Sequence, residues 1–140
     1  MVDSMQGAGR PRIRTILMIS SGLTVLLVLV QAFLAGQYLN GHGGALGAHE
    51  IIADIVFLAV VAQAIITYLA GKQGLVGRVD LILALVLVVL IVVQIGLGYG
   101  GTDGGQAEAL HIPNGVLIFG LAAAAHTRSR LARPSGAAGV

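Results

Sequence analysis

Residues 81–93 read LILALVLVVLIVV, and this run decides the class of the fold. The apolar stretch around it extends from about residue 79 to residue 99, close to the roughly 20 residues that a helix needs to cross a bilayer. Its β-branched residues are typical of a buried strand in water, but the run is too long for one. Only helices and closed barrels pair all their backbone groups inside lipid, so the run predicts a transmembrane helix.

Three further apolar stretches resemble this one in length, and they predict helices over about 15–38, 48–70 and 110–126. The composition agrees, because 56% of the 140 residues are hydrophobic and 10% are charged, whereas a soluble domain has about 25% charged residues. We therefore predict an all-α integral membrane domain over residues 15–126, an up-down-up-down four-helix bundle. Polar tails, 1–14 and 127–140, flank it, and membrane lipid is its first expected partner.

The placement of positive charge predicts how the bundle is oriented. All eight basic residues fall at one end of it: Arg10, Arg12, Arg14, Lys72, Arg78, Arg128, Arg130 and Arg133. The glycine-rich loops at the other end, 39–47 and 100–109, contain no basic residue. The positive-inside rule therefore predicts a bundle in the cell membrane with both termini in the cytoplasm. No basic stripe with interleaved aromatics accompanies the pI of 9.5, which therefore does not indicate nucleic-acid binding.

A pattern of glutamine, glycine and histidine occurs twice, and it predicts two tandem helix-hairpin repeats. The paired positions are Gln31 and Gln94, Gly36 and Gly98, and His49 and His111. The spacing from glutamine to histidine is 49 − 31 = 18 residues in the first copy and 111 − 94 = 17 in the second. In each copy the histidine follows an outer loop, so it lies at the start of a helix that runs from the outside inward.

Alternate helices of an up-down bundle are diagonal partners, so His49 and His111 are expected to face each other across it. Two opposed imidazoles suit axial ligation of a b-type haem iron. A structural histidine pair without a cofactor, or a site for a metal ion or another ligand, is the alternative. The glutamines would bond across the bundle or to the rings. The glycines, with Gly96 and Gly100, would leave space beside a macrocycle or would only allow close packing.

The sequence predicts separate roles for several other polar residues. Asn114 shares a helix face with His111, and Pro113 opens or kinks the first turn of that helix. Asp54, which shares a face with Glu50, is an ionisable group within a span and thus a functional candidate. It would relay protons, bind a quinone-like headgroup, contact another subunit, or be a protonated acid bonded to a neighbouring helix. His42, which lies in the glycine-rich loop 39–47, and His126, at the cytoplasmic border of the fourth helix, are both expected to be solvated.

These residues resemble one four-helix half of haem A synthase, which has histidines on its second and fourth helices. The resemblance covers residues 15–126 and rests on the two glutamine–glycine–histidine patterns. The chain also resembles small four-helix membrane proteins from actinobacteria in its segment 110–115, LHIPNG. The resemblance implies a bundle that holds haem through His49 and His111.

The chain departs from that family where catalysis would require a match. Leu46 stands where the catalytic half has glutamate, Glu50 stands where arginine is common, and loop cysteines and outward basic residues are absent. There is one bundle instead of two. We therefore expect haem binding for electron transfer or haem handling, without haem A synthesis. No nucleophile–base set, Walker loop or redox dithiol predicts an enzyme.

Two other functions are compatible with the same sequence. The first is a cofactor-free accessory subunit that packs against a larger membrane complex, or forms a homodimer, through its glycine and alanine faces. The second is a quinone- or proton-linked role centred on Asp54.

Overall fold

The computed structural model describes the backbone of residues 2–100 and 105–131 and the side chains of residues 12–100 and 105–131. These residues form four α-helices joined by short turns. The helices are α1 (Val2–Leu39), α2 (Gly44–Lys72), α3 (Arg78–Gly100) and α4 (Gln106–Leu131). The prediction of an all-α four-helix protein is confirmed.

The helices are longer than the apolar runs from which they were predicted. α1 begins at Val2 instead of near Thr15, and α4 continues past His126 to Leu131. Pro113 lies within α4 and does not open it. The prediction counted apolar residues, whereas the i to i−4 hydrogen bonds of a helix continue through polar sequence as well. The predicted tail beyond residue 131 lies outside the described residues.

The order of the helices around the bundle follows the chain. α1 contacts α2 and α4, and α3 also contacts α2 and α4. Within the described residues, the backbones of α1 and α3 do not approach each other closely, and neither do those of α2 and α4, so these are the two diagonals. Consecutive helices are neighbours, as an up-down-up-down bundle requires.

All four helices are long and apolar enough to cross a membrane, with candidate spans of 28, 29, 23 and 26 residues in chain order. Large apolar side chains cover the outside of the bundle: Leu58 is 65% exposed, Val89 60% and Val116 68%. A soluble protein rarely leaves so continuous an apolar surface in water. The surface fits contact with lipid and supports a multi-pass membrane protein.

An apolar layer divides the interior of the bundle into two ends. It consists of Val28, Val56, Val60, Leu87, Ile91, Ile118 and Ala122. On one side of this layer lies the histidine end, which contains His49 and His111. On the other lies the basic end, which contains the turn between α2 and α3.

The α2–α3 turn is built by a Schellman motif that buries Leu75. The amide of Leu75 donates to the carbonyl of Ala70 over 3.0 Å, and the amide of Gly74 donates to Gly71 over 2.9 Å. Gly74 has a φ of +70°, which favours glycine. The motif holds Leu75 against Leu17 and Ala70 and closes the basic end of the core.

Candidate functional site

His49 and His111 meet inside the histidine end. Each is the sixth residue of its helix, since 49 − 44 = 5 and 111 − 106 = 5. The ring centroids are 6.2 Å apart and the ring planes make an angle of 53°. Because α2 and α4 are diagonal, the two half-buried imidazoles lie across the middle of the bundle and between α1 and α3.

The His49 ring is held by a backbone carbonyl of α1. Its Nδ1 lies 3.2 Å from the carbonyl oxygen of Gln31. A carbonyl oxygen only accepts, so Nδ1 carries the hydrogen and donates it. In the neutral ring the lone pair is then on Nε2. Histidines that bind metals are oriented in this way, with the second nitrogen donating to a carbonyl or carboxylate.

The His111 ring is held differently. Its Nδ1 is buried and has no hydrogen-bond partner among the described residues. The ring lies against Gly98 of α3, where an added Cβ atom would be 3.3 Å from Cε1 and 3.7 Å from Nδ1. Packing against a backbone without a side chain therefore positions this imidazole, and one of its nitrogens has no protein partner.

Gln94 and Asn114 join α3 to α4 beside the pair. The amide of Gln94 donates to the carbonyl oxygen of His111 over 3.0 Å. Asn114 donates to Oε1 of Gln94 over 2.7 Å and lies 3.1 Å from the carbonyl oxygen of Leu90. Gly115 gives Gln94 room, because a Cβ there would be 3.2 Å from its Nε2. These bonds fix the backbone that carries His111 but do not reach its ring.

The two copies of the glutamine–glycine–histidine pattern thus have different contacts. Gln31 contributes its backbone oxygen to His49, and its own Oε1 is buried without a hydrogen-bond partner. Gly98 touches His111, whereas Gly36 is exposed and has nothing within 4 Å of an added Cβ. The internal repeat stays a prediction, and Gly36 lies away from the rings.

Asp54 and Glu50 do not belong to the histidine end's interior. Both are exposed on the outer face of α2 and make no hydrogen bond or ion pair with a described residue. The expectation that a protonated Asp54 bonds a neighbouring helix of this chain is therefore wrong. The physical reason is that Asp54 lies five residues after His49, which places it roughly 140° around a helix of 3.6 residues per turn.

The spacing of the two rings is compatible with one metal ion between them. An imidazole nitrogen binds a metal ion at about 2 Å, so two rings on opposite sides of one ion have centroids roughly 6 Å apart, whereas rings at a tetrahedral angle lie closer. The described residues contain no group of three or more His, Cys, Asp or Glu side chains that could hold a metal ion. Two protein ligands suffice for haem, whose porphyrin nitrogens supply the other four. The two-imidazole donor set fits that group.

A second group of polar residues, at the basic end, was missed by the sequence analysis. It consists of Ser21, Thr24, Gln63, Thr67, His126 and Ser129, called here the inner polar cluster. The prediction that His126 is solvated is wrong, because the ring is half-buried with its Nδ1 3.0 Å from Ser21 Oγ. The sequence did contain a signal for this cluster. The polar residues on each helix are three or four positions apart, which places them on one face of that helix.

Each residue of the inner polar cluster makes at least one hydrogen bond. Thr24 Oγ1 lies 2.7 Å from Gln63 Oε1, and Ser21 Oγ lies 2.9 Å from Ser129 Oγ. Ser21 beside His126 pairs a hydroxyl with a base, which the sequence did not predict. Ser21 is only 1% exposed, so no substrate reaches its hydroxyl and the contact is structural in character.

An ion pair closes the basic end. Nε of Arg128 on α4 lies 2.6 Å from Oδ1 of Asp80 on α3. The other carboxylate oxygen of Asp80 accepts the amide of Gly77 over 2.8 Å and caps α3. Asp80 therefore ties the start of α3 to the end of α4.

No family model, curated protein or solved structure matches this chain. The resemblance to one half of haem A synthase accordingly stays a prediction from the residues.

Proposed function

We propose that this protein is a small integral membrane haem protein, with His49 and His111 as the axial ligands of one b-type haem. Its bundle would lie in the cell membrane with the basic end and both termini in the cytoplasm. The function would be electron transfer or haem handling near the outer face. When bound, b-type haem supplies reversible one-electron chemistry.

One observation carries the proposal: two imidazoles from diagonal helices lie with centroids 6.2 Å apart. Helix bundles build cofactor sites in this way, from side chains on facing helices. The donation from His49 Nδ1 to Gln31 adds support, because it leaves Nε2 as the nitrogen with a lone pair. Gln31, Gln94, Gly98 and Asn114 would shape the site around the rings, with Gly36 farther away.

An absorption spectrum tests the proposal directly. The protein, expressed with added haem and purified in detergent, is expected to show a Soret band, and a reduced-minus-oxidised difference spectrum is expected to show an α band. The matched control is His42→Ala, which removes an exposed histidine from the same end and should leave both bands unchanged. Absence of a Soret band from the wild-type protein would refute haem binding.

A different observation favours a second candidate, an accessory subunit of a larger membrane complex. Asp54 is exposed on the apolar outer face of α2, ten residues after its start at Gly44. A charged aspartate near the centre of a span costs about 2.5–3.5 kcal/mol on insertion scales. A partner helix that covers Asp54 with a hydrogen-bond donor would remove much of that cost.

The second candidate predicts that Asp54 holds an assembly together. In a mild detergent the wild-type protein should migrate as a particle larger than the 14.2 kDa monomer with its detergent. Asp54→Leu should shift it to the monomer, whereas Leu58→Ala, one turn farther along the same exposed face, should not. A wild-type monomer, or an assembly unchanged by Asp54→Leu, would count against this role. The quinone- or proton-linked role would be tested by Asp54→Asn in an activity assay.

A further inference from the structure

The basic end contains a small, partly open cavity that the haem proposal does not use. Its volume is about 10 Å³, and its polar walls are Ser21, Gln63, Thr67, Asp80 and Ser129. A cavity needs roughly 10–15 Å³ on this measure, and two to four polar partners, to hold a water molecule. The cavity is therefore just large enough for one water and polar enough to bind it.

Gln63 lines this cavity and has one amide atom without a protein partner. The side chain is 2% exposed, and its Oε1 is occupied by Thr24. Its Nε2 makes no hydrogen bond to a described residue. Interchange of the two amide atoms would only exchange their roles, because Thr24 would then engage the nitrogen and the oxygen would lack a partner. Nε2 is not among the described side-chain atoms that are both buried and without a partner, so it keeps some accessible surface, and a water molecule in the cavity would accept its hydrogen bond.

The cavity adjoins a route to the aqueous phase. A groove of about 400 Å³ lies at the surface of the basic end, lined by Gly74, Gly77, Arg128 and their neighbours. Val76 and Asp80 line both the groove and the cavity. The Asp80 side chain is 16% exposed. Water from the groove thus has to pass only the wall formed by these two side chains.

The charges at this end favour a neutral ligand. The Asp80 carboxylate is already balanced by Arg128, 2.6 Å away. The guanidinium of Arg14 lies at the same end and donates to the carbonyl of Arg130 over 3.1 Å. The cavity walls therefore contain no carboxylate whose charge a monovalent cation could balance. A water molecule needs only hydrogen-bond donors and acceptors, which the walls provide.

We propose that this cavity binds one water molecule, which exchanges with the aqueous phase through the groove. The water accepts from the Gln63 amide and donates to the Asp80 carboxylate and to a hydroxyl oxygen of Thr67 or a serine. Three such bonds are the usual number for a buried water. The water hydrates the inner polar cluster from the basic end, and the apolar layer around Val60 and Leu87 stops it from reaching the histidine pair.

Solid-state NMR of the protein in lipid bilayers, prepared without haem, tests this site. Magnetisation transferred from water is expected to reach the side chains of Gln63, Thr67 and Ser129 and to exceed the transfer to Val60, which is 1% exposed in the apolar layer. Ala125→Val adds two methyl groups at the cavity wall. It should reduce the transfer to Gln63, Thr67 and Ser129 until it equals the transfer to Val60. Ala124→Val, on the exposed side of α4, is the matched control and should leave it unchanged.

Transfer in the wild-type protein no greater than that to Val60 overturns the proposal, and so does transfer that survives Ala125→Val. If Ala125→Val does not fold, Gln63→Leu provides the same test, because it replaces the amide that binds the water with an apolar side chain. Both tests are independent of haem, so their outcome is separate from that of the proposed function.

Discussion

His49→Ala is expected to abolish haem binding, whereas His111→Ala is expected to leave a protein that still binds haem through one imidazole. The reason is the difference in how the two rings are held. His49 Nδ1 donates to the Gln31 carbonyl, but His111 Nδ1 is buried without a partner. A hydrogen-bonded partner of a ligating histidine typically changes metal affinity by about 10–100-fold. Haem held by His49 should therefore bind tighter than haem held by His111 by about that factor.

Haem titrations of the two variants in detergent measure this difference. His111→Ala should retain a Soret band whose position changes on addition of imidazole or carbon monoxide, since one axial position is open. His49→Ala should retain none at the same haem concentration. Equal affinities in the two variants, or retention by His49→Ala alone, would show that the Gln31 contact does not decide which ligand is stronger. Loss of the band from the wild-type protein would be a failure of haem binding itself.

Gly98→Val is the second change with a large expected effect. A Cβ at this position lies 3.3 Å from Cε1 of His111, so the ring has to give way by a few tenths of an ångström even before the methyl groups of valine are placed. We expect this shift to disturb the arrangement in which the two ring centroids lie 6.2 Å apart. We expect Gly98→Val to weaken haem binding by at least about tenfold, the scale on which mispositioned ligands act.

Gly36→Val is the matched control, because Gly36 holds the equivalent place in the first copy of the sequence pattern. Nothing lies within 4 Å of a Cβ added there, so haem affinity should stay at the wild-type value. Both variants replace a helical glycine with valine, and thermal unfolding measured by circular dichroism separates a local effect on the ring from general destabilisation. Equal loss of haem from both variants would mean that His111 is not positioned by Gly98.

Much of the fold could be predicted from length and composition. A run such as residues 81–93 crosses a bilayer only as a helix, and four such runs with short connections leave neighbouring antiparallel helices as the simple arrangement. The ends of the helices were predicted less well, as α1 and α4 show, because no change of polarity marks where a helical backbone stops.

The candidate site was predictable in its depth but not in its contacts. Counting residues from the head of each helix places His49 and His111 at one level, because a helix rises 1.5 Å per residue. The same counting placed His126 at a border and missed its bond to Ser21. It also treated Gly36 and Gly98 as equivalents, although only Gly98 touches a histidine.

The sequence by itself determined how many helices there are, that each is long and apolar enough to span a membrane, and at which end each polar residue lies. Only the tertiary structure decided which face of each helix points inward. The physical reason is that these helices carry apolar residues all around, such as Val86, Leu87 and Val89 on α3, so no stripe distinguishes the face that packs from the face that meets lipid. Packing among all four helices sets their rotation, which brings the two imidazoles together, leaves Asp54 outside and buries the inner polar cluster.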